Sequence, residues 1–335
     1  MKKVLSLLAV LLIAASLVSA QSMMEKKPSA ENTLTVYAYD TFCGDWGAAA
    51  SVIPAFEEAT GIKVNLVACG GAVEMLSRLR LEGKRTPCDV VIGITNDLAE
   101  SAYGILESYD SPYLDTIDSR YVFDPEHRLI PYDYGAFAFV WDTESGITPP
   151  TCLEDLTKEE YKDKVILIDP RTSSVGTGLL AWTYNALGDG WLDWWEKMSE
   201  NALTIASTWS SAYGLFTEGE APIVLSYTTS PVYHVMYEDT TRYQALLFTD
   251  GHTVTIEGVG IIKDTQHRKE AEAFIDFLLT DAQIDLANAN SMYPVNSTIE
   301  LPEAYDYAPV PEKIYANSLP ETSELLLKWI ASVIR

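Results

Sequence analysis

Two segments of this chain gather hydroxyl side chains where a strand is expected to give way to a helix. The first is Asp169-Pro170-Arg171-Thr172-Ser173-Ser174-Val175-Gly176. Ser173 and Ser174 can cap the helix and leave backbone N–H groups free at its start, a site for phosphate or another hydrogen-bond acceptor. Plain capping would use the same residues. The second is Ser226-Tyr227-Thr228-Thr229-Ser230-Pro231. Here Ser230 suits an N-cap, Pro231 suits the first helical turn, and Tyr233 follows. Aromatic side chains fall beside these segments and at other expected strand ends: Tyr39, Trp46, Trp209, Tyr227 and Tyr233. Their faces attract cations and stack on flat heterocycles. Each alone is equally compatible with a core, so their joint placement is the informative part.

Other chemistry is poorly represented. No GxSxG, HExxH or P-loop pattern occurs, which lowers the case for catalysis. The four cysteines, Cys43, Cys69, Cys88 and Cys152, show no CxxC spacing, and the four histidines are far apart. A zinc or His-based metal site is therefore not expected. Cys43 and Cys69 follow neighbouring expected strands, so they are the pair expected to form a disulfide if any do. They are also the candidates for a cleft nucleophile if the protein is an enzyme.

The elements that position these residues follow from periodicity. Strands are expected at 33–39, 63–68 and 89–94, with helices at 52–59 and 72–82 between them. That alternation implies right-handed crossovers and a parallel sheet, with ligands beyond the carboxyl ends of its strands. The middle of the chain repeats the theme. Strands are expected at 165–168, 204–207 and 223–227, with helices at 175–186 and 210–216. A strand at 253–262 then returns, followed by helices at 266–279 and 282–289, the last capped by Asp281. Two parallel-sheet units and a returning segment suggest two lobes joined by crossover strands.

Charge narrows the partners. Asp plus Glu number 48 against 23 Lys plus Arg, a formal charge of -25. Nucleic acids and anionic membrane surfaces are unsuitable partners for such a chain, and cationic ligands are mildly favoured. Lys2 and Lys3, the apolar run 4–18 and the small residues Val18-Ser19-Ala20 read as a signal peptide (1–20) cleaved after Ala20. Residues 21–32 read as a flexible leader.

Several ordered motifs then give a specific resemblance. They are Tyr37-Ala-Tyr39-Asp40-Thr-Phe42, Asp45-Trp46-Gly47, Arg78-Leu-Arg80-Leu-Glu82-Gly83-Lys84 and Pro131-Tyr-Asp-Tyr134-Gly135. Further along come Asp169-Pro-Arg-Thr-Ser173, Trp209-Ser-Ser-Ala-Tyr213-Gly-Leu-Phe216, Leu225-Ser-Tyr227-Thr-Thr-Ser-Pro231 and Met292-Tyr-Pro-Val295. From about residue 34 to 295 the chain resembles the periplasmic thiamine-binding proteins, the solute receptors of thiamine ABC importers. The resemblance implies an α/β, two-lobed type II periplasmic binding protein fold with a parallel-sheet core in each lobe. Residues 33–131 and 252–335 would form lobe 1, and residues 132–251 lobe 2.

The resemblance also implies a function and a site. The protein would be a monomeric, non-enzymatic periplasmic receptor that hands thiamine or its phosphates to an inner-membrane ABC permease, with no cofactor beyond that cargo. Tyr39 and Trp46 would contact the ligand from the first lobe, and Ser173 and Ser174 from the start of a helix. Trp209, Tyr227, Thr228, Thr229, Ser230, Pro231 and Tyr233 would line the second lobe. Gly71-Ala72 stands where the family carries an acidic residue and Gly, and Ser291 where it carries Trp. These departures bear on which thiamine form is preferred. Two other classes remain open: an exported thiaminase-like enzyme using Cys43 or Cys69, and a ferric-ion receptor using tyrosines such as Tyr227 and Tyr233.

Overall fold

The computed structural model describes residues 32–315 and 322–334. The expected signal peptide and all but the last residue of the expected leader lie outside them. The first lobe begins with β1 (Thr33–Ala38), α1 (Ala49–Thr60), β2 (Lys63–Ala68), α2 (Ala72–Glu82) and β3 (Val90–Thr95). Both β2 and β3 pair with β1 in parallel. α1 buries Val52 and Phe56 and stops at Gly61, whose left-handed φ of 71° costs glycine little.

The chain then crosses to the second lobe along β4 (Ile130–Asp142), a 13-residue strand. The second lobe contains β5 (Val165–Ile168), α3 (Ser174–Leu187), α4 (Trp191–Asn201), β6 (Thr204–Ala206), α5 (Trp209–Thr217), β7 (Ile223–Tyr227), α6 (Pro231–Tyr237) and β8 (Tyr243–Leu246). β9 (His252–Ile262) returns to the first lobe, where α7 (Arg268–Leu279) and α8 (Gln283–Asn290) follow. The last described helix is α9 (Thr322–Val333).

The main path of the sheet runs β2-β1-β3-β9-β4-β7-β5-β6. Its flanks are parallel, β2-β1-β3 in one lobe and β7-β5-β6 in the other. Its centre is antiparallel: β9 pairs with β3 and β4, and β4 pairs with β7. The expected parallel core in each lobe is thus present, and the two crossover strands stitch the cores into one curved sheet. Two irregularities interrupt that centre. Against β4, the register of β9 shifts between Glu257 and Gly258; against β3, it shifts between Gly258 and Val259. Tyr132 and Gly93 are the extra residues on the neighbouring strands. Bulges of this kind re-aim side chains, and here they do so between the lobes.

Three expectations change. Asp281 does not cap α8, which starts after the buried Ala282 with no side-chain cap bond; Asp281 is exposed. All four cysteines are thiols. Cys69 Sγ lies 3.5 Å from the Val67 carbonyl and 3.6 Å from Arg78 Nη1, an alternative set of partners to Cys43. Finally, α9 packs with the second lobe rather than with the rest of 252–335. Its Leu325 and Trp329 are buried in that lobe's core, and Trp329 meets Trp195 edge-on at 5.5 Å.

Removing the Trp329 ring should therefore loosen the second lobe. A fully buried Trp→Ala substitution costs about 3–5 kcal/mol. Denaturant unfolding of Trp329→Ala should show a loss of that order; a change below about 1 kcal/mol would mean that α9 is not docked.

Candidate functional site

The site is built around two carboxylates on the crossover strands. Glu257 of β9 and Asp133 of β4 are direct cross-strand partners. Opposed residues of an antiparallel pair project to the same face, so the two acids are brought together. Tyr39, at the end of β1, donates its hydroxyl to Glu257 Oε2 at 2.9 Å. Tyr132 donates to the same oxygen. Asn290, the last residue of α8, donates to Asp133 Oδ2 at 2.8 Å and stands 3.4 Å from the Tyr39 hydroxyl. Asp133 is fully buried, and its Oδ1 has no partner.

A backbone feature seats Tyr39. Gly93 has φ 92°, and a Cβ there would fall 2.1 Å from the Tyr39 ring. Only glycine supplies both the conformation and the space. The bulge on β3 and the position of Tyr39 are therefore one device.

Electrostatics follow from this geometry. Burial pushes the Asp133 carboxyl well above its ordinary range, and the neighbouring Glu257 charge adds to the rise. Burial raises Glu257 too, against the opposing pull of the Tyr132 and Tyr39 hydrogen bonds. Tyr39, Tyr132 and Tyr227 are all held far above the usual phenol range, by burial first and then by Glu257. Tyr227 also feels Asp133 of the crossover strand β4 and Asp97 of the first lobe. Its ring stacks on Phe137 at 5.2 Å.

Asp97 bridges the lobes. It lies in the turn after β3, accepts from Thr95 Oγ1 at 2.5 Å, and accepts from Thr177 Oγ1 of α3 at 3.1 Å. Burial raises its carboxyl against both of these bonds. The first turn of α3 is thus met by a carboxylate of the opposite lobe. Ser173 caps this helix as expected, its Oγ accepting from Val175 N at 3.3 Å, and Ser174 is its half-buried first residue.

The second hydroxyl segment works differently from the expectation. Pro231 does open α6, but Ser230 makes no side-chain cap. Its Oγ instead bonds Ser226 Oγ at 2.7 Å and accepts from Tyr227 N at 3.2 Å. Trp209 Nε1 donates to Ser226 Oγ at 2.8 Å, and the Trp209 ring stacks on Tyr213 at 4.9 Å. The serines thus bind the strand end to an indole instead of freeing a helix start. Thr229 Oγ1 approaches Met292 Sδ at 3.9 Å, and the buried Thr228 hydroxyl has no partner.

Not every expected residue joins this centre. Trp46 is 58% exposed and Tyr233 42% exposed, the latter edge-on to His234. Gly71 is exposed, its N–H bonded to Glu74 Oε2, while Ala72 is buried. Ser291 has φ 49° and ends α8 directly after Asn290. The residues to which sequence reasoning gave no place at the site are Tyr132, Asp133, Glu257 and Asn290. Glu257 did leave a signal: it is the one charged residue inside the apolar run His252–Ile262. A further aromatic surface was also missed, the stack of Tyr121, Tyr134 and Tyr293, with centroids 3.7 and 5.4 Å apart.

This arrangement suits binding of a cation better than nucleophilic chemistry. Carboxylates and aromatic faces surround the centre, and no described salt bridge involves Asp133 or Glu257. Burial pushes the Cys43 thiol up to about 11, with Asp40 adding to the shift. Burial also raises Cys69, more than Arg78 lowers it. Thiols in that state are poor nucleophiles.

Comparison with known proteins agrees with this geometry. Residues 87–313 match the family described as bacterial extracellular solute-binding protein. A thiamine-binding periplasmic protein of Brucella suis is 38% identical over 85% of this chain and 86% of its own length. One from Escherichia coli is 35% identical over 90% of this chain and 92% of its own. A solved periplasmic thiamin binding protein superposes with a TM-score of 0.85 at 33% identity, covering 93% of this chain and all of that one. The apo ferric ion-binding protein A of Pasteurella haemolytica, 20% identical with a TM-score of 0.73, shares the fold. With a family match across most of its length and relatives this similar, the chain belongs to the bacterial extracellular solute-binding proteins.

Proposed function

We propose that this protein is an extracytoplasmic receptor that binds thiamine, or a phosphate ester of it, between its lobes and delivers it to an ABC importer. The observation that carries this reading is the buried carboxylate–tyrosine centre formed by Asp133, Glu257, Tyr39, Tyr132 and Tyr227. Thiamine carries a permanently cationic thiazolium and a flat pyrimidine. Burying such a cation is costly unless charge or aromatic faces compensate it, and this centre offers both. The names of the relatives described above point to the same ligand.

In this reading the cysteines take no part and thiamine leaves unchanged. Export would follow removal of residues 1–20, and the mature chain would act as a monomer. Ser173 and Ser174 would meet the hydroxyethyl or phosphate end of the ligand. The missing acidic residue at Gly71 and the missing indole at Ser291 would be offset by the Asp133–Glu257 pair and by the Tyr121–Tyr134–Tyr293 stack.

Calorimetric titration of the mature protein should give one thiamine bound per chain, and prolonged incubation should return the vitamin intact. No binding, or release of free pyrimidine and thiazole, overturns this reading. Tyr227→Ala should weaken binding about tenfold, from a cation–π loss of about 0.5–2 kcal/mol, whereas Tyr227→Phe should stay within a few-fold. Equal losses in the two variants would remove the ring from the site.

The tail assignment has its own check. Ser174→Ala should cost thiamine monophosphate a few-fold in affinity, about 1 kcal/mol for one hydroxyl contact, and should leave free pyrimidine binding unchanged. Equal loss for both ligands would move the tail elsewhere.

A further inference from the structure

Asp133 and Glu257 are an unusual pair to build into a crossover. Like charges directly opposite each other on antiparallel strands repel, and burial strengthens the repulsion. The protein makes little provision for two negative charges. Glu257 receives two hydroxyl donors, both on Oε2, and Asp133 receives one amide donor on Oδ2. Asp133 Oδ1, on a fully buried side chain, receives nothing.

Among the described residues, the polar groups that meet or act with the pair come from several elements. They are Tyr39 after β1, Tyr132 on β4, Tyr227 on β7 and Asn290 on α8; Asp133 also acts on Tyr305 farther along the chain, and Asp97 after β3 acts on Tyr227. None of these is a cation. Among the described residues no lysine, arginine or histidine hydrogen-bonds to either carboxylate. With no cationic side chain among the described residues bonded to the pair, a proton can take that role in the ligand-free protein.

We propose that Asp133 and Glu257 hold one shared proton in the ligand-free receptor and release it to solvent when a cationic ligand enters, so that capture exchanges a proton for the ligand's fixed charge. The inference rests on the receptor reading above and deepens it. The unpartnered Asp133 oxygen marks the side of the pair that still lacks a positive neighbour. An entering thiazolium near the Tyr227 face supplies that charge, the pair ionises fully, and the proton passes to the buffer.

The sign follows from linkage. Both carboxyl groups are raised, so the ligand-free pair keeps its proton to higher pH than an ordinary acid. A ligand that favours the ionised pair then binds more tightly as pH rises. The gain is about tenfold per pH unit while the ligand-free pair remains protonated and the bound pair does not, and it levels off once the ligand-free pair has ionised. At low pH the ligand must compete with the proton, and capture weakens.

The test is calorimetry of thiamine binding to the mature wild-type protein across a series of pH values from acid to alkaline, each in two buffers whose ionisation enthalpies differ. The buffer dependence of the binding heat should report, at its maximum in that series, release of about one proton per thiamine. Asp133→Asn and Glu257→Gln, checked for folding by thermal melting, should each bring that number close to zero. Binding with no buffer dependence at any pH in the series, or with proton uptake, overturns the inference and leaves the receptor reading standing. An undiminished proton release in both folded variants also overturns it, by placing the proton elsewhere. Absence of any thiamine binding overturns the receptor reading and this inference with it.

Discussion

The structure is organised around two acids opposite each other on the strands that join its lobes, Asp133 fully buried and Glu257 half-buried. Glu257 and Asp133 could be placed together only by the antiparallel pairing of β9 with β4. Around them the sheet departs from regularity, with Tyr132 bulged on one side and Gly93 on the other. Tyr39 fills the space left by the absent Gly93 side chain and reaches Glu257. Each departure costs stability that a regular apolar strand would have kept. Such concessions cluster where a protein must bind something, because the missing partner is supplied from outside.

The second lobe contributes a different chemistry to the same place. Trp209, Ser226 and Ser230 form a closed polar chain that holds the end of β7 and presents Tyr227 toward the acids. This network leaves little freedom to the strand end, so the tyrosine is preorganised before a ligand arrives. Asp97 and Thr177 then link the lobes directly through one hydrogen bond. Thr177 is buried and Asp97 half-buried, so this bond is shielded from water, and an apolar cluster of Val232 with Ala287, Ala304 and Tyr305 joins the lobes as well.

Much of the scaffold was legible in the sequence because local pattern dictates it. β2 and α2 occupy the expected residues, and β5 and β7 do as well. Their apolar spacing and glycine stops need no knowledge of the rest of the chain. β4 was not read as an element, although its Pro131–Gly135 segment contributed to the resemblance. Both its faces are buried along most of its length, which erases the alternation that marks a half-exposed strand. The aromatic and hydroxyl members of the site were visible because they sit at predictable strand ends. Asp133 and Glu257 were not, because their meeting depends on a register between strands more than a hundred residues apart. Ser230 illustrates the same limit: as a sequence it reads as a cap, but a nearby serine and the Tyr227 N–H at the end of a strand were better partners.

The placement of α9 constrains the order in which the protein can assemble. The second core includes Trp195 from the middle of the chain and Trp329 from its final helix, while the first core needs Phe274 and Ile275 beside Phe56. Neither lobe is a continuous stretch of chain, so neither can finish folding as the polypeptide emerges from its N-terminus. A chain threaded through a narrow pore in that direction would stay short of a complete core until almost its last turn had passed. In a chain passed through such a pore, the interleaving of the two cores would act as a timer as well as a scaffold, holding back stable structure until passage was over.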